Sequence, residues 1–296
     1  MKSVKQPGIL AITAFVFYSL LSIDSSAQGP WAQGKGKGYS QLVFNSISNY
    51  SSLYDERTGT GDTRPTERIL SEVVLAAYGE FGISDKLTVG ANIPFGMANS
   101  GSARVDSIPP QFDEGRLSAF GNISAFAKYT VIDKKWKAAF LTQVGLATAE
   151  RDTSTGLATG VDAYSIQPTL SFGSSSGDWY YFGYFGYGYR TNDYHDYLTM
   201  GAEVGKRLPN DKILLILNIH RLHNLGNGSA LVDAPAIIET GLHTSFQEYS
   251  AFLAKIFVED LYKGVGAFGS IGGAFPGEKV SVAAAPAMSL GLFYKW

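Results

Sequence analysis

The sequence predicts an all-β protein: a 12-stranded antiparallel transmembrane β-barrel of the outer-membrane type, behind a cleaved signal peptide. Three observations predict it. Apolar and polar residues alternate along nearly the whole chain, the dyad of strands with one apolar and one polar face. Short and long breaks take turns between the alternating runs, as periplasmic turns and external loops do in such barrels. The apolar faces are nearly free of charge, while Lys and Glu lie on the opposite parity. Lipid explains that exclusion, because Arg or Lys on the lipid face at mid-bilayer costs roughly 2–4 kcal/mol.

The first element is a targeting segment. Lys2 and Lys5 precede the apolar run "GILAITAFVFYSLLSI", and "SSA" then places Ser25 and Ala27 three and one residues before a cut. This is the positive, apolar and small-residue order of a secretory signal. The run is short for a membrane helix, and no basic stop follows it. Residues 1–27 are therefore expected to be removed on export. Residues 28–38 read as a short flexible segment. Its "GKGKG" lacks the GK[ST] ending of a phosphate loop and precedes a strand. The segment is too short for a plug domain, so any constriction is expected from loops or lumen side chains. The barrel occupies 39–296.

Composition agrees. Aromatics make up 13% of the 296 residues, Gly numbers 34, and charged residues are 17%, against about 25% in ordinary soluble domains. A net charge of −2 gives no basic surface for a nucleic acid. The lack of Cys excludes disulfides and thiolate metal sites. After the signal, no stretch is long and apolar enough for a helical membrane span.

The strands are expected at 39–53, 68–82, 87–98, 119–131, 136–148, 162–173, 179–190, 197–207, 212–222, 243–257, 261–274 and 286–296. In "LTVGANIPF", Leu87, Val89, Ala91, Ile93 and Phe95 share one face. In "NISAFAKYTV", Ile123, Ala125, Ala127, Tyr129 and Val131 oppose Asn122, Ser124, Lys128 and Thr130. "YSIQPTLSF" and "YLTMGAEVGKR" repeat the pattern. Tight turns are expected at "ISDK" (83–86), "IDKK" (132–135), "SSSGD" (174–178), "LPND" (208–211) and "VED" (258–260). Looser loops fall at 55–66, 99–117, 150–160, 191–196, 223–241 and 275–284. All tight turns and both termini then lie on one side. A soluble β-sandwich also alternates, but it explains neither this rhythm nor strands longer than five or six residues.

The hairpin "YGEFGISDKLTVGANIPF", with Tyr78, Gly79, Asp85, Leu87, Gly90 and Pro94, resembles one shared by outer-membrane transporters of the phenol-degradation (MetA-pathway) type. "FGNISAFAKYTV" resembles their next strand, with Gly121 and the Lys128–Tyr129 pair, although Asn122 stands where that pattern has Asp. "GYGYRTND" and the closing "SLGLFYKW" also fit. The resemblance covers most of the mature chain, and its motifs are structural. It implies a barrel in the outer membrane of a Gram-negative cell, and a channel for passive passage of small compounds, hydrophobic ones included. It names no solute.

Strand parity projects a set of lumen-lining candidates: Arg68, Glu72, Tyr78, Glu80, Lys128, Gln143, Arg190, Glu203, Asn218 and His220. Lys137 and Arg207 share their faces. Both signs occur, so strong ion selectivity is not indicated. These charges either brace the interior by pairing or contact a solute. Apolar loop stretches, "IPPQF" (108–112) and "SALVDAPAII" (229–238), form either an outer capture patch or ordinary loop packing.

Two other functions compete. One is a structural or adhesive barrel that transports nothing. The other is a lipid hydrolase, because "HTS" sets His243 and Ser245 on one strand face about 7 Å apart. No third member of a triad is evident, so no enzyme is expected. The four histidines are scattered, and neither a metal nor a cofactor is expected.

The chain stops on "SLGLFYKW", with Leu290, Leu292, Tyr294 and Trp296 at alternate positions. They read as the lipid face of the last strand, which must pair with the first to leave no open edge. The ending also resembles the C-terminal signal read by barrel-assembly machinery. The partners expected are therefore outer-membrane lipids, that machinery and an unidentified small solute.

Overall fold

A strand whose residues alternate between lipid and interior has to bury every second side chain. The fifth strand shows this most simply. Ser124, Phe126, Lys128 and Thr130 are buried, while Ala125, Ala127, Tyr129 and Val131 are exposed. The same alternation runs around a closed, wholly antiparallel sheet. The computed structural model describes residues 28–55, 63–103, 112–209, 212–228, 248–276 and 281–296. The expected signal peptide (1–27) lies outside the described residues. So do His243, Ser245, the stretch 229–238 and all of "IPPQF" except Phe112.

The strands are β1 (Gly38–Asp55), β2 (Thr63–Gly82), β3 (Leu87–Ala103), β4 (Gly115–Phe120), β5 (Ser124–Asp133), β6 (Trp136–Gly145) and β7 (Ser165–Ser176). They continue with β8 (Trp179–Arg190), β9 (Tyr197–Arg207), β10 (Ile213–Asn224), β11 (Tyr249–Tyr262), β12 (Val265–Pro276), β13 (Ser281–Ala283) and β14 (Ala287–Lys295). These fourteen segments make twelve staves. β4 and β5 pair in succession with β3, and β13 and β14 pair in succession with β1. Pro286 has no N–H to offer a ladder and lies in the second interruption. β14 also pairs with β12, and β1 with β2, so the ring is closed.

The closing register runs from Tyr39↔Lys295 to Ile47↔Ala287. Leu290, Leu292, Tyr294 and Trp296 face outward, and Phe293 between them is buried. Gly38 and Trp296 exchange both backbone hydrogen bonds at 3.2 Å. A Cβ on Gly38 would meet the Trp296 ring at 2.0 Å.

The outer face is apolar. Leu217 and Ile219 on β10 are both 61% exposed, and His220 beside them is buried. Among the described residues the middle of this face carries no charge. Outward charges sit near its ends, with Lys206 over the Trp179 ring on the turn side and Arg116 and Arg221 on the loop side. Aromatic residues ring the turn side, including Trp136, Trp179, Tyr181, Tyr294 and Trp296, as in the interfacial girdles of membrane barrels.

Two expectations about element ends are corrected. The hairpin turn expected at 258–260 lies at Lys263–Gly264, both with positive φ (44° and 86°). A two-residue turn of the hairpin type requires that conformation at both positions. Asp260 (φ 51°) instead marks a bulge, where the β11–β12 register shifts between Val258 and Tyr262. β1, β2 and β3 also extend further towards the loops than expected, to Asp55, from Thr63 and to Ala103. Those extensions are polar on both faces, so no apolar alternation announced them.

Candidate functional site

The interior is the candidate site, and it contains a piece of chain. Residues 28–34 lie inside the barrel on the turn side, and 35–37 are exposed at its mouth. Trp31 packs edge-on against Tyr180 (5.6 Å between centroids) and Phe182 (5.7 Å) on β8. The Pro30 carbonyl accepts from Thr130 Oγ1 at 3.2 Å, and the Gln33 N–H donates to Thr88 Oγ1 at 3.0 Å. Further out, Gly36 N–H donates to the Gly82 carbonyl and Lys35 N–H donates to Asp85 Oδ1, tying the segment to the β2–β3 hairpin. Gly82 leaves the room required, because a Cβ there would meet the Gly34 carbonyl at 1.8 Å. The expectation that constriction comes from loops or lumen side chains alone is therefore corrected. A segment too short for a domain still fills part of a mouth when it folds inward.

The ten lumen-lining candidates all lie on the inward parity of their strands. Glu80 and Lys128 face each other across β2, β3 and β5, with Nζ 3.7 Å from Oε2 and both side chains 1% exposed. Gln33 Nε2 donates to Oε1 of the same Glu80 at 2.7 Å. Glu72 accepts from the Tyr50 hydroxyl at 2.7 Å. Arg68 donates to the carbonyls of Phe112 and Gly101. Glu203 accepts from Tyr180 Oη (2.8 Å) and Asn218 Nδ2 (3.3 Å). The Arg190 guanidinium stacks 4.2 Å from the Tyr197 ring centroid, a geometry that favours a cation. Tyr78 is buried and stacks on Phe126 (6.0 Å). Gln143 is half-buried in the β6 wall. His220 Nδ1 lies 2.6 Å from the Tyr184 hydroxyl, and its buried Nε2 has no hydrogen-bond partner among the described residues. Outside the ten, Arg207 and Lys295 both reach Glu259 near the turn side.

Of the aromatic lining, the ten candidates include only Tyr78 and His220. Trp31, Tyr180, Phe182, Tyr184, His220 and Tyr249 form a continuous run of ring contacts, each 5.6–6.5 Å from the next. A second run links Tyr78, Tyr39, Phe293, Phe257 and Phe268. Glycines make room for several of these rings. A Cβ on Gly205 would meet Tyr180 at 2.0 Å, and one on Gly201 would meet the Tyr184 hydroxyl at 2.4 Å. Gly90, Gly266 and Gly291 are covered likewise by Phe126, Phe293 and Phe268. The signal for this was an inward glycine opposite an aromatic on the next strand, which one strand read alone does not show.

Between the inserted segment and the wall lies a cavity of about 420 Å³. Its lining includes Trp31, Tyr39, Tyr180, Phe182, Ile216 and Phe257, with Glu203, Arg207 and Glu259 to one side. The volume and the mixture of aromatic walls with a few polar groups suit a small organic molecule.

On the loop side, Asp196 joins two loops. Its carboxylate accepts from the Tyr187 hydroxyl (2.6 Å) and Asn227 Nδ2 (2.7 Å), and its N–H donates back to Asn227 Oδ1 (2.9 Å). Next to it, the Gly228 N–H donates to His195 Nδ1 at 2.7 Å.

No family model matches the sequence, and no curated protein does. Solved structures do match. An outer membrane channel from Pseudomonas putida F1 superposes with a TM-score of 0.65 at 13% identity, over 93% of this chain and 100% of that one. The KdgM porin in complex with disordered oligogalacturonate gives 0.48 at 5% identity, over 87% and 99%. The CymD monoaromatic hydrocarbon channel gives 0.46 at 10% identity, over 97% and 98%. The architecture of this chain is that of an outer-membrane β-barrel.

Proposed function

We propose that the protein is an outer-membrane channel for passive passage of small, flat, largely apolar molecules, with residues 28–37 as its constriction. The observation that carries this reading is the aromatic run from Trp31 at the turn side to Tyr249 at the loop side. Ring faces attract flat apolar solutes at each step, and small spacing between rings keeps any one step shallow. His220 Nε2 offers a polar handle towards the loop end of the run, suited to a solute bearing one hydroxyl. Charges such as Glu80 with Lys128 then act as braces, which keeps the wall in shape around the segment. On this reading the chain is not an enzyme, and the C-terminal strand with Trp296 serves barrel assembly as well as closure.

Single-channel recording in planar bilayers tests the proposal. Benzyl alcohol should interrupt the ion current, and glucose at equal concentration should not. Tyr184→Ala and His220→Ala should shorten the interruptions. Equal effects of the two solutes would remove the aromatic path. A barrel that carries no current even after loss of residues 29–36 would favour the structural alternative.

A further inference from the structure

The outer wall carries a polar cluster that the interior does not explain. Arg221 and His223 on β10 occupy the parity of Leu217 and Ile219, so their side chains point outward at the loop end. Ser250 on β11 and Glu248 just before it share that face. Arg221 Nη2 donates to Glu248 Oε1 at 2.8 Å, and Arg221 Nη1 donates to Ser250 Oγ at 2.9 Å. His223 Nδ1 lies 2.9 Å from the same Glu248 oxygen. The carboxylate is covered, its side chain 10% exposed, whereas those of Arg221 and His223 are 40% and 46% exposed. Glu248 thus holds two donor groups from behind and leaves their far sides open. A guanidinium has five N–H groups in a fork, so donors remain for another partner.

Towards the middle of the wall this cluster caps a groove of about 580 Å³. Arg221 and Ser250 line it together with Met200, Ile219, Phe252 and Phe275. Phe252 and Phe275 contact each other at 5.6 Å. All four apolar side chains are exposed on the lipid face. An acyl-sized apolar groove therefore meets an arginine fork at the depth where hydrocarbon gives way to headgroups.

We infer that this is a lipid site, which takes an acyl chain in the groove and a lipid phosphate on Arg221 and His223. The loop side faces the outer leaflet, so the ligand class is a phosphorylated, acylated glycolipid of that leaflet. Arg suits the task better than Lys, because its planar fork matches two phosphate oxygens at once. With Glu248 close by, the cluster is near neutral overall. Affinity then rests on hydrogen-bond geometry and the groove, with little long-range attraction.

The test is native mass spectrometry of the full barrel in detergent, titrated with bisphosphoryl lipid A, dephosphorylated lipid A and phosphatidylglycerol in separate arms. Bisphosphoryl lipid A should bind tightest. Arg221→Ala should weaken it about tenfold or more, the value of one charged hydrogen bond. Met200→Trp fills the groove while keeping the wall apolar, and it should weaken binding too. Heat-modifiable migration on gels verifies that each variant is folded. If Arg221→Ala does not fold, Arg221→Lys and Met200→Trp carry the test. Equal binding of the dephosphorylated form, equal binding of phosphatidylglycerol, or wild-type affinity in the folded variants would overturn the inference.

Discussion

Gln33, ahead of the first strand, hydrogen-bonds to Glu80 on β2 at 2.7 Å. The other oxygen of that carboxylate faces Lys128 at 3.7 Å. One buried acid therefore serves two masters, the wall and the inserted segment. An ion pair in a nearly dry interior is costly unless further hydrogen bonds complete it, and Gln33 supplies one. The segment is thus part of what makes the buried pair tolerable, and the pair is part of what holds the segment.

The first prediction concerns that segment. Deleting residues 29–36, with the cleavage site kept, should raise single-channel conductance several-fold. It should also remove the edge-on contacts of Trp31 with Tyr180 and Phe182. Unchanged conductance in planar bilayers would show that residues 28–37 do not limit the pore.

The second concerns the pair. Lys128→Met leaves the Glu80 carboxylate buried without that charge, and removing one partner of a buried pair costs about 3–5 kcal/mol. Lys128→Met with Glu80→Gln should recover part of the loss, since Gln can still accept from Gln33. Gel-shift melting of the folded barrel reads both. Additive losses in the double variant would show that the two residues are not coupled.

Much of this was legible because lipid enforces a period of two. Parity alone put Glu80, Lys128, Arg190, Glu203 and His220 on the face that the structure buries. The inserted segment was not legible, because "QGPWAQGKGKG" has no period to read. Its one hint was a lone Trp among glycines. β8 was ambiguous for another reason. In "WYYFGYFGYGYR" both faces are aromatic or glycine up to Arg190, so that single charge is all that marks the face of Tyr180, Phe182 and Tyr184 as the inward one. That choice rests on Gly201 and Gly205 of the neighbouring strand, which open space for the rings. The turn at Lys263–Gly264 was displaced by an acidic bulge that resembled a turn in sequence.

The third prediction is a pH dependence at the loop latch. Burial and then repulsion from Arg190 lower the pKa of His195 below its ordinary 6.5. Burial alone would raise Asp196, but hydrogen bonds from Tyr187, Asn227 and the Arg190 backbone hold it below its ordinary 3.8. Both folded values are depressed, so both contributions are complete above the ordinary values and are lost as pH falls through the folded ones. Acidification should therefore loosen the contact between loops 191–196 and 225–228, with His195 failing first as Nδ1 takes a proton and stops accepting from Gly228. Amide exchange protection at Gly228 should fall between neutral pH and about pH 4. Constant protection over that range would rule the latch out as a titrating element.

The last prediction concerns Asn122, which sits at the interruption between β4 and β5. β6 ends at Gly145, so β4 has β3 on one side and loop residues 146–163 on the other. Asn122 joins strand to loop in both directions. Its Nδ2 donates to the carbonyls of Leu146 (2.8 Å) and Val161 (2.7 Å), and its Oδ1 accepts from the Val161 N–H at 2.7 Å. Thr148 and Thr159 add hydroxyl bonds to the carbonyls of Gly121 and Phe120. An ionised aspartate could keep the accepted bond but neither donated one, and it would place a charge against two carbonyl oxygens. Asn122→Asp should therefore destabilise the 146–163 loop by about 1–3 kcal/mol, the cost of leaving such groups unpaired. The rest of the barrel should keep its melting behaviour. Limited proteolysis within 146–163 should become faster at neutral pH and return towards the wild-type rate where the introduced carboxyl is protonated, since a protonated acid donates again. A rate insensitive to both substitution and pH would show that Asn122 does not hold this loop.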